Sequence, residues 1–158
     1  MRAEPMTGLA SSVDPPGGVQ VVIDSDMLAV RDGLQALFAC SLLATLPDEV
    51  RGTAEIVLAE ALNNVVEHAY ASYPGKITVQ LRPCDTGLRF GISDTGLPMP
   101  GSEPPKGDLR EPSGFDDLPE GGFGWFLIRT LSHDLSYRRE GGRNCLDFCI
   151  SVDNPPLA

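Results

Sequence analysis

Glu60-Ala61-Leu62-Asn63-Asn64-Val65-Val66-Glu67-His68 lies inside a long run of helical periodicity. Val50, Ala54, Val57, Leu58, Ala61, Leu62, Val65, Val66 and Ala69 recur every three or four residues, one apolar stripe. Pro47 fits a first helical turn, and Asp48 and Glu49 suit the positive end of the dipole. Pro74-Gly75 stops the run, so a helix is predicted over 47–70. Glu60 and Asn64 are i and i+4, side by side at the edge of the stripe. A half-buried carboxylate beside an amide oxygen can serve as a base next to a metal ligand. Taken alone, a solvated helix edge is the commoner explanation of the same pair.

Upstream, residues 19–23 read as a β-branched strand. Asp24 or Ser25 then caps a helix carrying Met27, Val30, Leu34, Leu37, Phe38 and Leu42. Downstream, strands are predicted at 77–82 and 88–93, with Asp85-Thr86-Gly87 as the hairpin turn. Residues 97–120 are rich in Pro, Gly, Asp and Glu without a period, as expected of a functional lid or a disordered loop. A helix at 124–133 and strands at 135–139 and 144–152 close the chain. Helices would segregate to one face of a mixed, largely antiparallel sheet, giving an α+β two-layer sandwich. Residues 1–18 and 153–158 read as tails around one domain, 19–152.

Composition narrows the function classes. The 158-residue chain carries 22 acids against 12 bases, net −10, without a Lys/Arg cluster. Direct nucleic-acid binding is not expected of it. Backbone amides and a metal ion can still hold a phosphate group on an acidic protein. No uncharged apolar run reaches the ~20 residues of a membrane span, and the N-terminal stretch lacks a signal-peptide core. Cys40, Cys84, Cys145 and Cys149 form no CxxC pair. Cys145 and Cys149 would share a strand face about 13 Å apart, too far to pair directly. Reduced thiols in a cytoplasmic domain are expected.

Two further motifs bear on chemistry. Ile92-Ser93-Asp94-Thr95-Gly96-Leu97-Pro98 stands at a strand end. An ionised Asp94 only accepts hydrogen bonds, which suits the exocyclic amine of adenine and not the oxygen of guanine. Gly96 would let a base approach the backbone. Alone, the segment is also an ordinary Asp-x-Gly turn. Gly121-Gly122-Phe123-Gly124-Trp125-Phe126-Leu127-Ile128 leads into a helix whose first N–H groups form a phosphate site. It matches neither a dinucleotide fingerprint nor a P-loop. Trp125, Phe126, Ile128 and Leu131 are expected in the core.

Glu-x-x-x-Asn on a helix, Asp-x-Gly after a strand, a long lid and Gly-x-Gly opening a helix together resemble the Bergerat-fold, histidine-kinase-like ATPases. EALNNVVEHAY (60–70) and GGFGWFLI (121–128) look like the stand-alone anti-sigma factor serine kinases of bacterial partner-switching systems. The resemblance covers residues 19–152. It implies Glu60 as general base and Asn64 as a Mg²⁺ ligand. Asp94 would read the adenine of ATP, with Gly96 beside it. Gly121, Gly122, Phe123 and Gly124 would turn amides toward the phosphates under the lid. It further implies phosphorylation of a serine on a STAS-type anti-sigma-factor antagonist, sequestration of a sigma factor, and a homodimer. Arg31 falls in the region that resembles the sigma-contacting part of these kinases, and is equally readable as a surface arginine paired with Asp32 or Gln35. Pro98 stands where many superfamily members have a second glycine, Asn144 near where a threonine or serine is common, and Lys106 and Arg110 are the lid's cations. A module that binds ATP without turnover and a histidine-kinase catalytic domain remain rival readings.

Overall fold

The computed structural model describes residues 18–106 and 122–152. The readings of both tails, of lid residues 107–120 and of Gly121 fall outside the described residues. Strand β1 (Val19–Asp24) leads to helix α1 (Met27–Phe38), short helix α2 (Ser41–Ala44) and long helix α3 (Asp48–Asn64). Strands β2 (Lys76–Cys84) and β3 (Gly87–Asp94) follow, then helix α4 (Gly122–Leu131) and strands β4 (His133–Glu140) and β5 (Arg143–Ser151). The sheet order is β1-β2-β3-β5-β4. All four pairings are antiparallel, so the sheet is not mixed.

Every second residue of each central strand points at the helices, as a period of two requires. Ile77, Val79 and Leu81 of β2, Phe90 and Ile92 of β3, and Phe148 and Ile150 of β5 are nearly or wholly inaccessible. Phe90 and Phe148 face each other across β3 and β5 and stack with centroids 5.3 Å apart. On the helix side, Val57, Leu58 and Leu62 of α3 and Ile128 of α4 close the core. α3 packs against both α1 and α4. The result is the expected two-layer α+β sandwich with helices on one face.

Three local expectations change. The α1 cap is Asp26, whose Oδ1 accepts from Ala29 N at 2.8 Å. Ser25 Oγ instead accepts from Gly75 N at 2.9 Å, and Asp24 pairs with Lys76 across β1 and β2. The first helix does not run on through Leu42, because Cys40 is extended (φ −70°, ψ 155°) and the chain restarts as α2, which buries Leu43. The long helix keeps its expected reach but changes winding. Residues Val65–Ala69 form a π turn in which Tyr70 N donates to Val65 O at 3.0 Å. Such π turns are frequent at functional sites. Among the described residues, no helix is long and apolar enough to cross a membrane.

Candidate functional site

The π turn shapes one wall of a cleft of about 380 Å³. The end of α3, the close of β3, residues 97–100, Trp125 of α4 and Tyr137, Asn144 and Leu146 of the last hairpin line it. Its wall is mostly apolar, with Asn64, His68, Asp94, Tyr137 and Asn144 as polar points. A small-molecule site has this composition.

Asp94 ends β3 facing inward and is 5% exposed. Its Oδ1 accepts from Gly96 N and from Asn144 Nδ2, both at 2.8 Å. The first bond is an Asx turn, so the turn-forming role holds. Among the described residues no donor is bonded to Oδ2, which leaves an acceptor in the cleft wall. Burial raises the Asp94 pKa, and the donors at Asn144 and Gly96 and the charge of Arg139 only partly offset this.

Gly96 has a different reason from the one expected. A Cβ there would meet the Ala69 carbonyl oxygen at 2.3 Å. Leu97 N donates to that same oxygen at 2.7 Å. The space a side chain would need is taken by the end of the π turn. Tyr70 reinforces the junction: its hydroxyl donates to Lys76 O at 2.6 Å and accepts from Thr95 N at 3.0 Å.

Asn144, on β5 directly opposite Asp94, is the hub of the polar wall. It is 5% exposed, and its Nδ2 donates to Asp94 Oδ1 and to Leu97 O, each at 2.8 Å. Its Oδ1 accepts from the Tyr137 hydroxyl at 2.5 Å and from Arg139 at 2.7 Å. With both ends of the amide engaged, its orientation is settled. Tyr137 also accepts from Met99 N, and Arg139 donates to Gly96 O, both at 3.0 Å. The last hairpin thus fastens the loop that follows β3. Tyr137 and Arg139 went unread in the sequence. The hairpin turn 140–143 places Arg139 opposite Asn144, but nothing local places Asn144 beside Asp94, 50 residues away.

Glu60 and Asn64 stand one turn apart on α3, as the spacing requires. Asn64 lines the cleft, and its Nδ2 is buried without a hydrogen-bond partner among the described residues. Glu60 lies toward α4, where a Cβ on Gly124 would come within 2.7 Å of its Oε2. The bare Cα of Gly124 therefore accommodates the carboxylate. α4 begins at Gly122, two residues before the expected start, so Gly122, Phe123 and Gly124 supply N–H groups of its first turn, which have no intrahelical acceptor. Phe123 is 53% exposed. Trp125, Ile128 and Leu131 are core, as expected, and Phe126 is half-buried. Arg129, on the last turn of α4, donates to the Pro104 and Pro105 carbonyls at 2.7 and 2.8 Å and ties down that stretch of backbone.

Arg31 is not in this cleft. It is exposed and lines a separate groove between α1 and α3, with Met27, Leu34, Phe38 and Glu55. Neither Asp32 nor Gln35 bonds to it among the described residues.

Serine/threonine-protein kinase BtrW of Bordetella bronchiseptica is 35% identical over 101 residues, 61% of this chain and 68% of that protein. Serine-protein kinase RsbW of Bacillus mycoides is 30% identical over 96 residues, 58% of this chain. The chain spans 59% of the RsbW length. The histidine kinase domain of the Erythrobacter litoralis blue-light activated histidine kinase superposes with a TM-score of 0.47 and 16% identity, over 79% of this chain and 60% of that one. The family described as the histidine kinase-like ATPase domain matches residues 24–150, which include Glu60, Asn64, Asp94 and Gly124. This chain belongs to the histidine kinase-like ATPase domain family.

Proposed function

We propose that the chain is an ATP-dependent protein serine kinase that phosphorylates a STAS-type anti-sigma-factor antagonist and, without that antagonist, sequesters a sigma factor. The observation that carries the reading is the convergence of three sequence-distant segments: Asn64 of α3, Asp94 of β3 and Trp125 of α4 line one cleft, and Glu60, one turn before Asn64, lies against Gly124 in the first turn of α4. Adenine fits against Asp94, whose Oδ2 accepts from the exocyclic amine. Gly122, Phe123 and Gly124, at the start of α4, would hold the phosphates through their backbone N–H groups. Asn64, whose buried Nδ2 has no hydrogen-bond partner among the described residues, would hold Mg²⁺ through its amide oxygen. Mg²⁺ supplies neutralisation of charge on the transferring group. Glu60 takes the proton from the attacking serine hydroxyl, a role supported by its position one turn before Asn64 and beside Gly124.

The kinase names of BtrW and RsbW support the reaction class. The resemblance to partner-switching kinases supports the antagonist, the sigma factor, a homodimer and a cytoplasmic setting. The test is incubation of the protein with labelled ATP, Mg²⁺ and each candidate antagonist, followed by phosphoserine analysis. Transfer is expected. Nucleotide binding without transfer to any candidate would leave a docking regulator in place of a kinase.

A further inference from the structure

The sheet face turned away from the helices carries a second constellation. Cys149 lies on that face of β5, yet it is buried. His133 and Asp134 open β4 beside it, and each offers a ligand atom such that these and the Cys149 thiol lie within 4.8 Å of one another. Cys84, at the end of β2, is linked to the cluster through Thr86, whose Oγ1 lies 3.6 Å from the Cys84 thiol and 3.0 Å from His133 Nε2. We propose that Cys84, Cys149, His133 and Asp134 form a binding site for a borderline-soft divalent transition metal ion, Zn²⁺ in the first place.

The donor set fits that chemistry. Two sulfurs, one imidazole and one carboxylate make a four-coordinate Zn²⁺ sphere. Bonds of about 2.0–2.3 Å set tetrahedral donors roughly 3.3–3.8 Å apart, so the three clustered atoms need close by only about one ångström. The backbone is shaped for the purpose. Asp134 has φ +54°, in the left-handed region, within a register irregularity between His133 and Ser136. Bulges re-aim side chains, and unusual backbone conformations collect at sites. Here the bulge puts two consecutive side chains against Cys149. His133 is already oriented, with Thr86 Oγ1 at 3.0 Å from Nε2 and Ser151 Oγ at 3.4 Å from Nδ1. One hydroxyl can yield to the ion while the other holds the ring.

Register argues against a disulfide as the purpose of the thiol pair. Cys84 pairs with Gly87, and Gly87 pairs with Ser151, two residues from Cys149. Two strand spacings, about 9.6 Å, separate the backbones, beyond the roughly 7 Å that a disulfide tolerates. Charge also balances. Two thiolates and a carboxylate around a dication leave one negative charge, and Arg89 pairs with Cys149 across β3 and β5. Metal binding releases one proton from each thiol to solvent.

The test uses the full chain, reduced and stripped of metal, without nucleotide or Mg²⁺. Zn²⁺ is titrated by calorimetry, and Co²⁺ is used as the spectroscopic probe. One equivalent of Zn²⁺ should bind with Kd at or below about 1 μM, and Co²⁺ should show thiolate-to-metal charge-transfer absorption. Cys84→Ser and His133→Gln, both at partly exposed positions, should each weaken binding at least about tenfold with thermal unfolding unchanged. Cys149→Ser should abolish the charge-transfer band together with Cys84→Ser. Kd above about 100 μM, undiminished binding in Cys84→Ser and His133→Gln, or a Cys84–Cys149 disulfide forming in air would each overturn the site.

Discussion

Gly124 leaves bare the place where the Glu60 carboxylate sits: a Cβ on Gly124 would stand 2.7 Å from Glu60 Oε2. The atom in the way is the end of a flexible side chain, so Gly124→Ala should fold and move Glu60 aside. Expected are a fall in the phosphoryl-transfer rate of at least about tenfold and nucleotide affinity within a few-fold of wild type, because the helix keeps its free amides. Glu60→Ala should nearly abolish transfer with similar retention of affinity. Single-turnover transfer and calorimetry, run side by side, read the two effects. Wild-type transfer in Glu60→Ala would show that Glu60 is not the base.

Asp94 should select adenine. GTP would set a carbonyl oxygen against the carboxylate and leave a buried charge without its donor, at a cost of roughly 1–3 kcal/mol. That corresponds to about a tenfold preference for ATP or more. Asp94→Ala should lose the preference. Calorimetry with ATP and GTP on both proteins decides it, and equal wild-type affinities would remove the assignment.

The same residue gives a pH signature. Unfolded, Asp94 titrates near 3.8; folded, burial raises its pKa. Between those values the native state binds more protons than the unfolded one, so this group's contribution to stability is full below the unfolded value and is lost as pH rises through the folded value. Asp94→Asn should flatten that part of the stability–pH curve. Denaturant midpoints measured from acid to neutral pH test it, and parallel curves for both proteins would contradict the buried-charge account.

Asn144→Ala should be more damaging than an average polar substitution. It strips donors from Asp94 and Leu97 and an acceptor from Tyr137 and Arg139. Unfolding should cost about 1–3 kcal/mol less for each group left unpaired and buried, and ATP affinity should fall with it. A midpoint shift within the noise would mean that water replaces the amide.

Arg129 holds Pro104 and Pro105 by their carbonyls. In Arg129→Ala, amides of residues 101–103 should exchange faster without nucleotide, and ATP·Mg²⁺ should restore part of the protection. Identical exchange in the two proteins would show that Arg129 does not anchor the segment.

Arg31 offers the partner-side test. Arginines at the centre of an interface are often worth ~2 kcal/mol or more, so Arg31→Ala should weaken capture of a confirmed partner at least about tenfold. ATP affinity should not change, since the groove lies apart from the cleft. Unchanged capture would make it an ordinary surface residue.

Periodicity by itself determined the elements, because apolar spacing of two or of 3.6 is a local property of the chain. The α3 stripe, the alternating strands and the i, i+4 relation of Glu60 and Asn64 are all legible in that way. So is the Asx turn at Asp94, which needs only two residues of backbone. Tertiary structure alone decided what each motif packs against. The need for glycine at 96 comes from Ala69, 27 positions upstream, and that at 124 from Glu60, 64 positions upstream. Asn144 looked like a departure from the family and proved to be the amide that fixes Asp94, because β5 joins the sheet next to β3 and not next to β2. The π turn at Val65–Ala69 breaks no propensity rule and left no trace in the pattern. Only the folded chain shows it, with the Ala69 carbonyl at its end accepting from Leu97 N.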